Sequence, residues 1–158
     1  MQLQEEKDPH HWGVDVNAVH GAMHDAGMRF ARVAVRDFDP GSLRYCLRQA
    51  AYEIARDISE GRKVYVHCTA GLGRAPAACI AYMFWFRDFT LDEAYEHLTK
   101  IRPCGPKREA IRGATYDILS GGDWDTFDAL PPHAYSCLSE EDRHMLQYHV
   151  LGGRDPRA

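Results

Sequence analysis

The feature that most constrains the fold is a nearly unbroken apolar segment, Arg74 to Phe86, which follows a loop containing glycines. The segment is too short to span a bilayer, so it predicts a helix buried in a protein core. Pro76 lies in the first helical turn, where its missing N–H costs little. The alternating run from Val64 to His67 predicts a strand before the loop. A strand, a loop and a buried helix in this order can gather backbone N–H groups around one anion.

The remaining periodicity predicts an α/β fold. A helix from Asp15 to Gly27 precedes a strand from Arg29 to Val35. Further helices are predicted at 43–58, 90–101, 107–119 and 139–152, and the segment 123–135 is predicted to be irregular. Because helices alternate with strands in the first half and dominate the second, we expect a central, mostly parallel sheet flanked by helices.

Composition narrows the class of protein. With 158 residues, a net charge of −4 and an isoelectric point near 6.1, the chain suits one compact domain and does not favour nucleic acid or an anionic membrane as its partner. The five scattered cysteines form no CxxC pair, which predicts a reducing compartment and no structural zinc. His20 and His24 lie one helical turn apart without a suitable third ligand, so no metal or other cofactor is predicted.

The loop carries the candidate chemistry. Gly71 and Gly73 permit a tight turn, and the planar guanidinium of Arg74 matches two oxygens of a phosphate. The positive potential of the loop N–H groups and of the dipole of the following helix also favours a thiolate at Cys68, which would attack a bound phosphorus. His67 is predicted to orient the loop. The alternative for Cys68 alone is an ordinary core cysteine, but the spacing His-Cys-x-x-Gly-x-x-Arg between a strand and an apolar helix favours the site.

Displacement of an alkoxide also needs a proton donor. The loop "RDFDP" offers Asp37 and Asp39. Either aspartate can instead be a turn residue that caps the following helix, and Asp39 before Pro40 fits that alternative. The sequence pattern does not choose between these roles.

At this point "HCTAGLGRAP" and "RDFDP" resemble the dual-specificity branch of the cysteine phosphatases, and in particular the plant and algal glucan phosphatases of the like-starch-excess type. The resemblance extends through "DPHHWGVDV", "ARVAVRDFDPGSLR", "RPCGPKREAIRGATYDIL" and "DWDTFDALPPHAY". It implies a catalytic domain at 1–121 and a helical carboxy-terminal motif at 122–158. It also implies that the first strands of the family domain precede Met1.

The resemblance implies roles for individual residues. Cys68 would be the nucleophile, Arg74 the phosphate ligand and Asp37 the general acid. The phosphate-binding loop would be lined by His67, Thr69, Ala70, Gly71, Leu72 and Gly73. Trp12, Phe38 and Tyr135 match positions where the family holds a glucan chain with aromatic rings, because flat rings suit the apolar faces of sugars. Core packing is the alternative for Trp12 and Phe38, and anchoring of the carboxy-terminal motif is the alternative for Tyr135.

Three functions follow from these alternatives. The first is a monomeric plastid enzyme that hydrolyses phosphate monoesters on starch, with phosphorylated glucan as its partner and no nucleic acid or membrane; outside a plastid it would be cytoplasmic. The second is a dual-specificity protein phosphatase with the same chemistry. The third is a truncated, non-catalytic module that binds glucan or a partner.

His11 and Ser120 depart from the glucan-binding pattern of the family. An aromatic residue is expected at the position of His11, and a basic residue at the position of Ser120.

Overall fold

The computed structural model of the chain describes residues 1–122 and 124–153. These residues form eight helices, which are α1 (Lys7–His11), α2 (Val16–Asp25), α3 (Pro40–Ser59), α4 (Arg74–Phe86), α5 (Leu91–Ile101), α6 (Arg108–Ser120), α7 (Trp124–Asp128) and α8 (Glu140–Val150). None of them is long and apolar enough to cross a membrane.

The helix starts follow from local side chains. The Asp15 carboxylate accepts hydrogen bonds from two N–H groups of the first turn of α2. Thr90 and Glu93 form the predicted capping box of α5, in which each side chain accepts a hydrogen bond from the other residue's backbone. Ser139 caps α8 with its hydroxyl, which accepts a hydrogen bond from the Asp142 N–H. The predicted helices are therefore confirmed, with ends that differ by a few residues.

Helix α4 lies at the centre of the core. It contacts α3, α5, α6 and α8, and most of its side chains are buried. Trp85 and Phe84 are fully buried, and the Trp85 indole N–H donates a 2.9 Å hydrogen bond to the Thr115 hydroxyl on α6. Because the indole has its polar partner, the large ring can fill the core without leaving a donor unsatisfied.

The predicted sheet is not confirmed. The segments predicted as strands each contribute only one residue to an isolated parallel bridge in the described part of the chain, Gln2 with Arg32 and Gln2 with His67. The bridging segment at residues 1–4 was not predicted to be extended. Its Leu3 side chain is fully buried, and its backbone bonds to Ala31, Val33 and His67. Three aligned extended segments therefore lie beside the helices.

The carboxy-terminal part contributes to the same core. Leu146 and Val150 of α8 are buried in the cluster that contains the α4 side chains. Helix α7 interrupts the segment predicted to be irregular, so that prediction is wrong for Trp124–Asp128, and Asp123 lies outside the described residues. The division into 1–121 and 122–158 stays a prediction.

Candidate active site

The loop 68–73 leaves an extended segment and leads directly into α4. The backbone of His67, the residue before the loop, is held by two hydrogen bonds. Its N–H donates to the Met1 carbonyl, and its carbonyl accepts from the Leu3 N–H. The His67 ring stacks on Tyr65 with centroids 5.5 Å apart. The predicted orienting role of His67 stays a prediction, and these contacts of its backbone support it.

Two features shape the loop. Gly71 has φ +70°, and a Cβ atom there would lie 2.8 Å from the Arg102 guanidinium. A side chain at this position would therefore meet an unfavourable backbone conformation and would require the end of the Arg102 side chain to move. On the outer side, the Gly105 N–H donates to the Leu72 carbonyl at 2.9 Å, which ties the loop to the segment before α6.

Arg74 is the most heavily bonded side chain of the site. Its Nη1 donates to Asp8 at 2.6 Å and to the Val35 carbonyl at 3.0 Å. Its Nη2 donates to the Thr69 hydroxyl at 2.9 Å and lies 3.1 Å from the Asp37 carboxylate. The side chain is only 4% exposed. The guanidinium is therefore held in one orientation from both of its ends.

One donor of this buried arginine has no hydrogen-bond partner among the described residues. This donor is Nε, and Arg74 lines a cleft of about 660 Å³ together with Cys68 and Asp37. An unsatisfied buried N–H costs free energy, which an arriving oxygen ligand would recover. The arrangement can accept an oxyanion beside the thiol.

The structure gives the two aspartates of "RDFDP" different positions. Asp39 accepts a 2.9 Å hydrogen bond from the Ser42 N–H and caps α3. Asp37 lies beside Arg74 and its side chain is 44% exposed, so it can reach both the cleft and solvent. Of the two, Asp37 is the one that lies beside Arg74, and its role as a general acid stays a prediction.

The aromatic candidates lie in two places. Trp12 is 67% exposed and Phe38 is 97% exposed, so the core-packing alternative is wrong for both. Phe38 lines the cleft with Cys68, whereas Trp12 lines a separate apolar groove of about 490 Å³ that also reaches Cys68. Tyr135 lies instead against Tyr116 of α6, with ring centroids 5.3 Å apart, and does not line these two clefts.

Backbone strain marks two of these aromatics. Phe38 has φ 55° and Tyr135 has φ 59°, a left-handed conformation that is uncommon for bulky residues. Phe38 adopts it beside Asp37, whose carboxylate accepts the Phe38 N–H at 3.1 Å. Such strain is often found at functional sites, where the surrounding structure maintains it.

Burial shifts the pKa values of two ionisable groups near the loop. It lowers the pKa of His67, with a smaller contribution from the Met1 ammonium. It also raises the pKa of the Cys79 thiol to about 11, with Cys104 adding to the shift and Arg102 opposing it. Among the described residues, no group of three or more His, Cys, Asp or Glu side chains is arranged to hold a metal ion.

The sequence did not predict two polar contacts of the site. Asp8, from α1, forms the short ion pair with Arg74. Gln4 donates a 2.9 Å hydrogen bond to the Thr69 hydroxyl, which also accepts from Arg74. The alternation in "MQLQ" was a signal for an extended segment with its glutamines on one face, but nothing in the local pattern pairs Asp8 with a residue so distant in sequence.

Comparisons with known proteins agree with this geometry. A protein from Castanea sativa named phosphoglucan phosphatase DSP4, amyloplastic, is 42% identical over 122 residues, which are 75% of this chain and 32% of that protein. The Arabidopsis thaliana phosphoglucan phosphatase LSF1, chloroplastic, is 29% identical over 87% of this chain and 23% of its own length. Mouse dual specificity protein phosphatase 26 is 30% identical over 58% of this chain and 44% of its own length.

The chain thus spans about a third or less of the length of the two phosphoglucan phosphatases. Residues 4–112 match the family described as dual specificity phosphatase, catalytic domain. The match includes the loop with Cys68 and Arg74, the segment with Asp37 and helix α4. By this match, the chain belongs to the dual-specificity phosphatase family and has its cysteine-phosphatase fold.

Proposed function

We propose that the protein is a cysteine-dependent phosphatase that hydrolyses phosphate monoesters on glucan chains. The observation that carries the proposal is that Arg74, whose buried Nε has no partner among the described residues, lines one cleft with Cys68 and Asp37. Such a donor fits a phosphate oxygen, and a thiol at the same cleft supplies a nucleophile. The loop residues His67, Thr69, Ala70, Gly71, Leu72 and Gly73 would surround the phosphate.

In the first step, the Cys68 thiolate attacks phosphorus and the bond from phosphorus to the sugar oxygen breaks. Asp37, protonated, donates its proton to that oxygen, which leaves as a hydroxyl group. Arg74 stabilises the equatorial oxygens through Nε and Nη2. The phosphate takes the place of Asp37 at Nη2, and this exchange frees the Asp37 carboxyl for its role as an acid.

In the second step, the Asp37 carboxylate accepts a proton from water while the water oxygen attacks the phosphocysteine. The bond from sulfur to phosphorus breaks, inorganic phosphate leaves, and Cys68 returns as a thiolate. Each proton that Asp37 donates is thus recovered within one turnover. The proposed chemistry needs no cofactor.

The substrate class is inferred from the surfaces that meet at Cys68. Trp12 and Phe38 are exposed and line two clefts that Cys68 also lines, and flat rings of this kind pack on the apolar faces of sugars. The Castanea and Arabidopsis relatives are named as phosphoglucan phosphatases of plastids, which supports phosphoglucan as the substrate and a plastid as the location. We propose that Tyr135 is a second glucan contact, remote from catalysis, and that the protein acts as a monomer.

The test compares phosphate release from solubilised phosphoglucan, a phosphotyrosine peptide and a small aryl phosphate. We expect the wild-type protein to hydrolyse the aryl phosphate and the phosphoglucan, and Cys68→Ser to hydrolyse neither. Preference for the peptide would favour a protein phosphatase instead. No turnover of any substrate would leave only a binding module.

The aromatic contacts are tested on the same substrates. Phe38→Ala and Trp12→Ala are each expected to lower the rate on phosphoglucan about fivefold and to change the rate on the aryl phosphate little, since an aromatic stacking contact is worth about 1 kcal/mol. Tyr45→Ala is the matched control, because Tyr45 is 87% exposed and lines neither cleft. Equal losses on both substrates would contradict a glucan-binding role.

A further inference from the structure

We infer that Asp8 is the residue that positions Arg74 for oxyanion binding, an assignment that rests on the proposed phosphatase function. Asp8 and Arg74 form a 2.6 Å ion pair between α1 and α4. Nothing in the active-site motif predicts this contact, because Asp8 lies in a different segment from the loop. Asp8 would not touch the substrate, and its effect would pass through the guanidinium.

Asp8 is itself held in place. Its side chain is 14% exposed, and the same carboxylate oxygen that meets Arg74 also accepts the Glu5 N–H at 3.2 Å. The carboxylate is therefore anchored to the backbone at the start of α1. A charge-assisted bond to a fixed carboxylate is stronger and better oriented than one to a mobile side chain.

The pattern of bonds separates the two ends of the guanidinium. Asp8 and the Val35 carbonyl occupy Nη1. Nη2 bonds to Thr69 and lies beside the more exposed Asp37, and Nε has no partner in the described part of the chain. The Nη1 end is therefore already bonded to Asp8 and the Val35 carbonyl, and the other end contains the donor that an oxyanion can use without displacing a protein partner.

This arrangement decides the sign of the effect. If Asp8 competed with phosphate for Arg74, its removal would tighten phosphate binding. Because Asp8 occupies Nη1 while Nε and Nη2 serve the ligand, its removal should loosen the guanidinium and weaken binding. The carboxylate that competes with phosphate for Arg74 is Asp37, which shares Nη2 with the expected position of an oxygen.

Binding of inorganic phosphate, measured by calorimetry on proteins that carry Cys68→Ser, tests the inference without turnover. We expect Asp8→Asn to weaken phosphate binding about tenfold or more, the scale seen when an outer partner of a binding group is removed. The matched control is Glu6→Gln, which removes the same charge from an exposed neighbour and should change nothing. In the active protein, Asp8→Asn should raise KM for the aryl phosphate more than it lowers kcat.

A double-variant cycle separates positioning from a general structural role. In an Arg74→Lys background, Asp8→Asn should have little further effect on phosphate binding, because the guanidinium that it positions is gone. Additive losses would overturn the inference, as would unchanged or tighter binding in Asp8→Asn alone. If Asp8→Asn lowers the melting temperature strongly, Asp8→Glu keeps the charge and should retain more phosphate affinity than Asp8→Asn at equal stability; the reverse order contradicts the inference.

The outcomes distinguish this inference from the proposed function. If the Cys68→Ser protein binds no phosphate and the wild-type protein hydrolyses no aryl phosphate, the proposed function is wrong and the role of Asp8 is wrong with it. If both hold and Asp8→Asn binds phosphate as its parent does, only the role of Asp8 is wrong.

Discussion

Arg44 and Arg74 are equally buried, at 4% exposure each, but their hydrogen bonding differs. Arg44 makes a two-point contact with Asp117, through Nε at 2.7 Å and Nη2 at 2.6 Å, and its guanidinium lies 4.6 Å from the centre of the Phe127 ring. Arg74 divides its bonds between two carboxylates, a hydroxyl and a carbonyl, and its Nε is unpaired within residues 1–122 and 124–153.

The difference shows how burial serves two purposes in one core. Arg44 connects α3 to α6, and Gly113 of α6 makes room for it, since a Cβ atom there would lie 2.6 Å from Arg44 Nε. A buried charge that is paired and packed in this way supports the fold. Arg74 keeps a buried donor without a partner, which costs stability unless a ligand arrives. The comparison therefore predicts opposite results for matched substitutions.

The largest expected effect is on activity. Arg74→Lys should lower kcat/KM for an aryl phosphate by about 10³-fold, because an ammonium cannot reproduce the planar two-point contact with a phosphate. Arg44→Lys should leave kcat/KM within about threefold of the wild-type value and lower the free energy of unfolding instead. Steady-state kinetics and urea denaturation on both variants check this. Similar activity losses in the two variants would remove the distinction.

The partner carboxylates give the second test. Asp117→Asn should lower the free energy of unfolding by about 2 kcal/mol, since it removes charge-assisted bonds to a buried arginine. Asp37→Asn should change stability less and lower kcat about 10²-fold, the typical contribution of a general acid. The two variants remove the same charge, so each is the control for the other. A stability loss in Asp37→Asn as large as in Asp117→Asn would argue that Asp37 is structural.

The smallest expected effect concerns pH and the cysteine behind the loop. The pKa of Cys79 is raised from 9.0 to about 11, so the folded protein keeps this proton at a pH where the unfolded chain releases it. The part of the unfolding free energy that is linked to the Cys79 proton is therefore fully present below pH 9. It falls as the pH rises from 9 towards 11, by about 1.4 kcal/mol per pH unit at most.

Cys79→Ala should remove that part of the alkaline loss. Urea denaturation at pH 8 and pH 10 gives the unfolding free energy lost between these pH values. This loss should be smaller in Cys79→Ala than in the wild-type protein by about 1 kcal/mol. Cys137→Ala is the control, because Cys137 is exposed. If both variants follow the wild-type pH dependence, the Cys79 thiol does not contribute to it.

Local patterns predicted the helices well and the extended segments poorly. The boundaries of α4, the cap of α2 and the capping box of α5 depend on residues within one turn, so the sequence contains the necessary information. The segments 29–35 and 64–67 form only isolated bridges, and the bridging residues 1–4 were not recognised, because pairing of extended segments depends on distant partners. Helix α1 was not predicted either, and α7 lies within a segment whose turn residues favoured an irregular conformation.

The sequence by itself determined the loop chemistry and the buried helix, since thiol, glycines, guanidinium and apolar run are adjacent along the chain. Only the tertiary structure decided which aspartate lies beside Arg74, that Trp12 and Phe38 are exposed, and that Asp8 holds the other end of the guanidinium. These contacts join residues far apart in sequence, and their distances depend on how α1, α3 and α4 pack. A local pattern contains the groups that can react, whereas packing selects the partners that orient them.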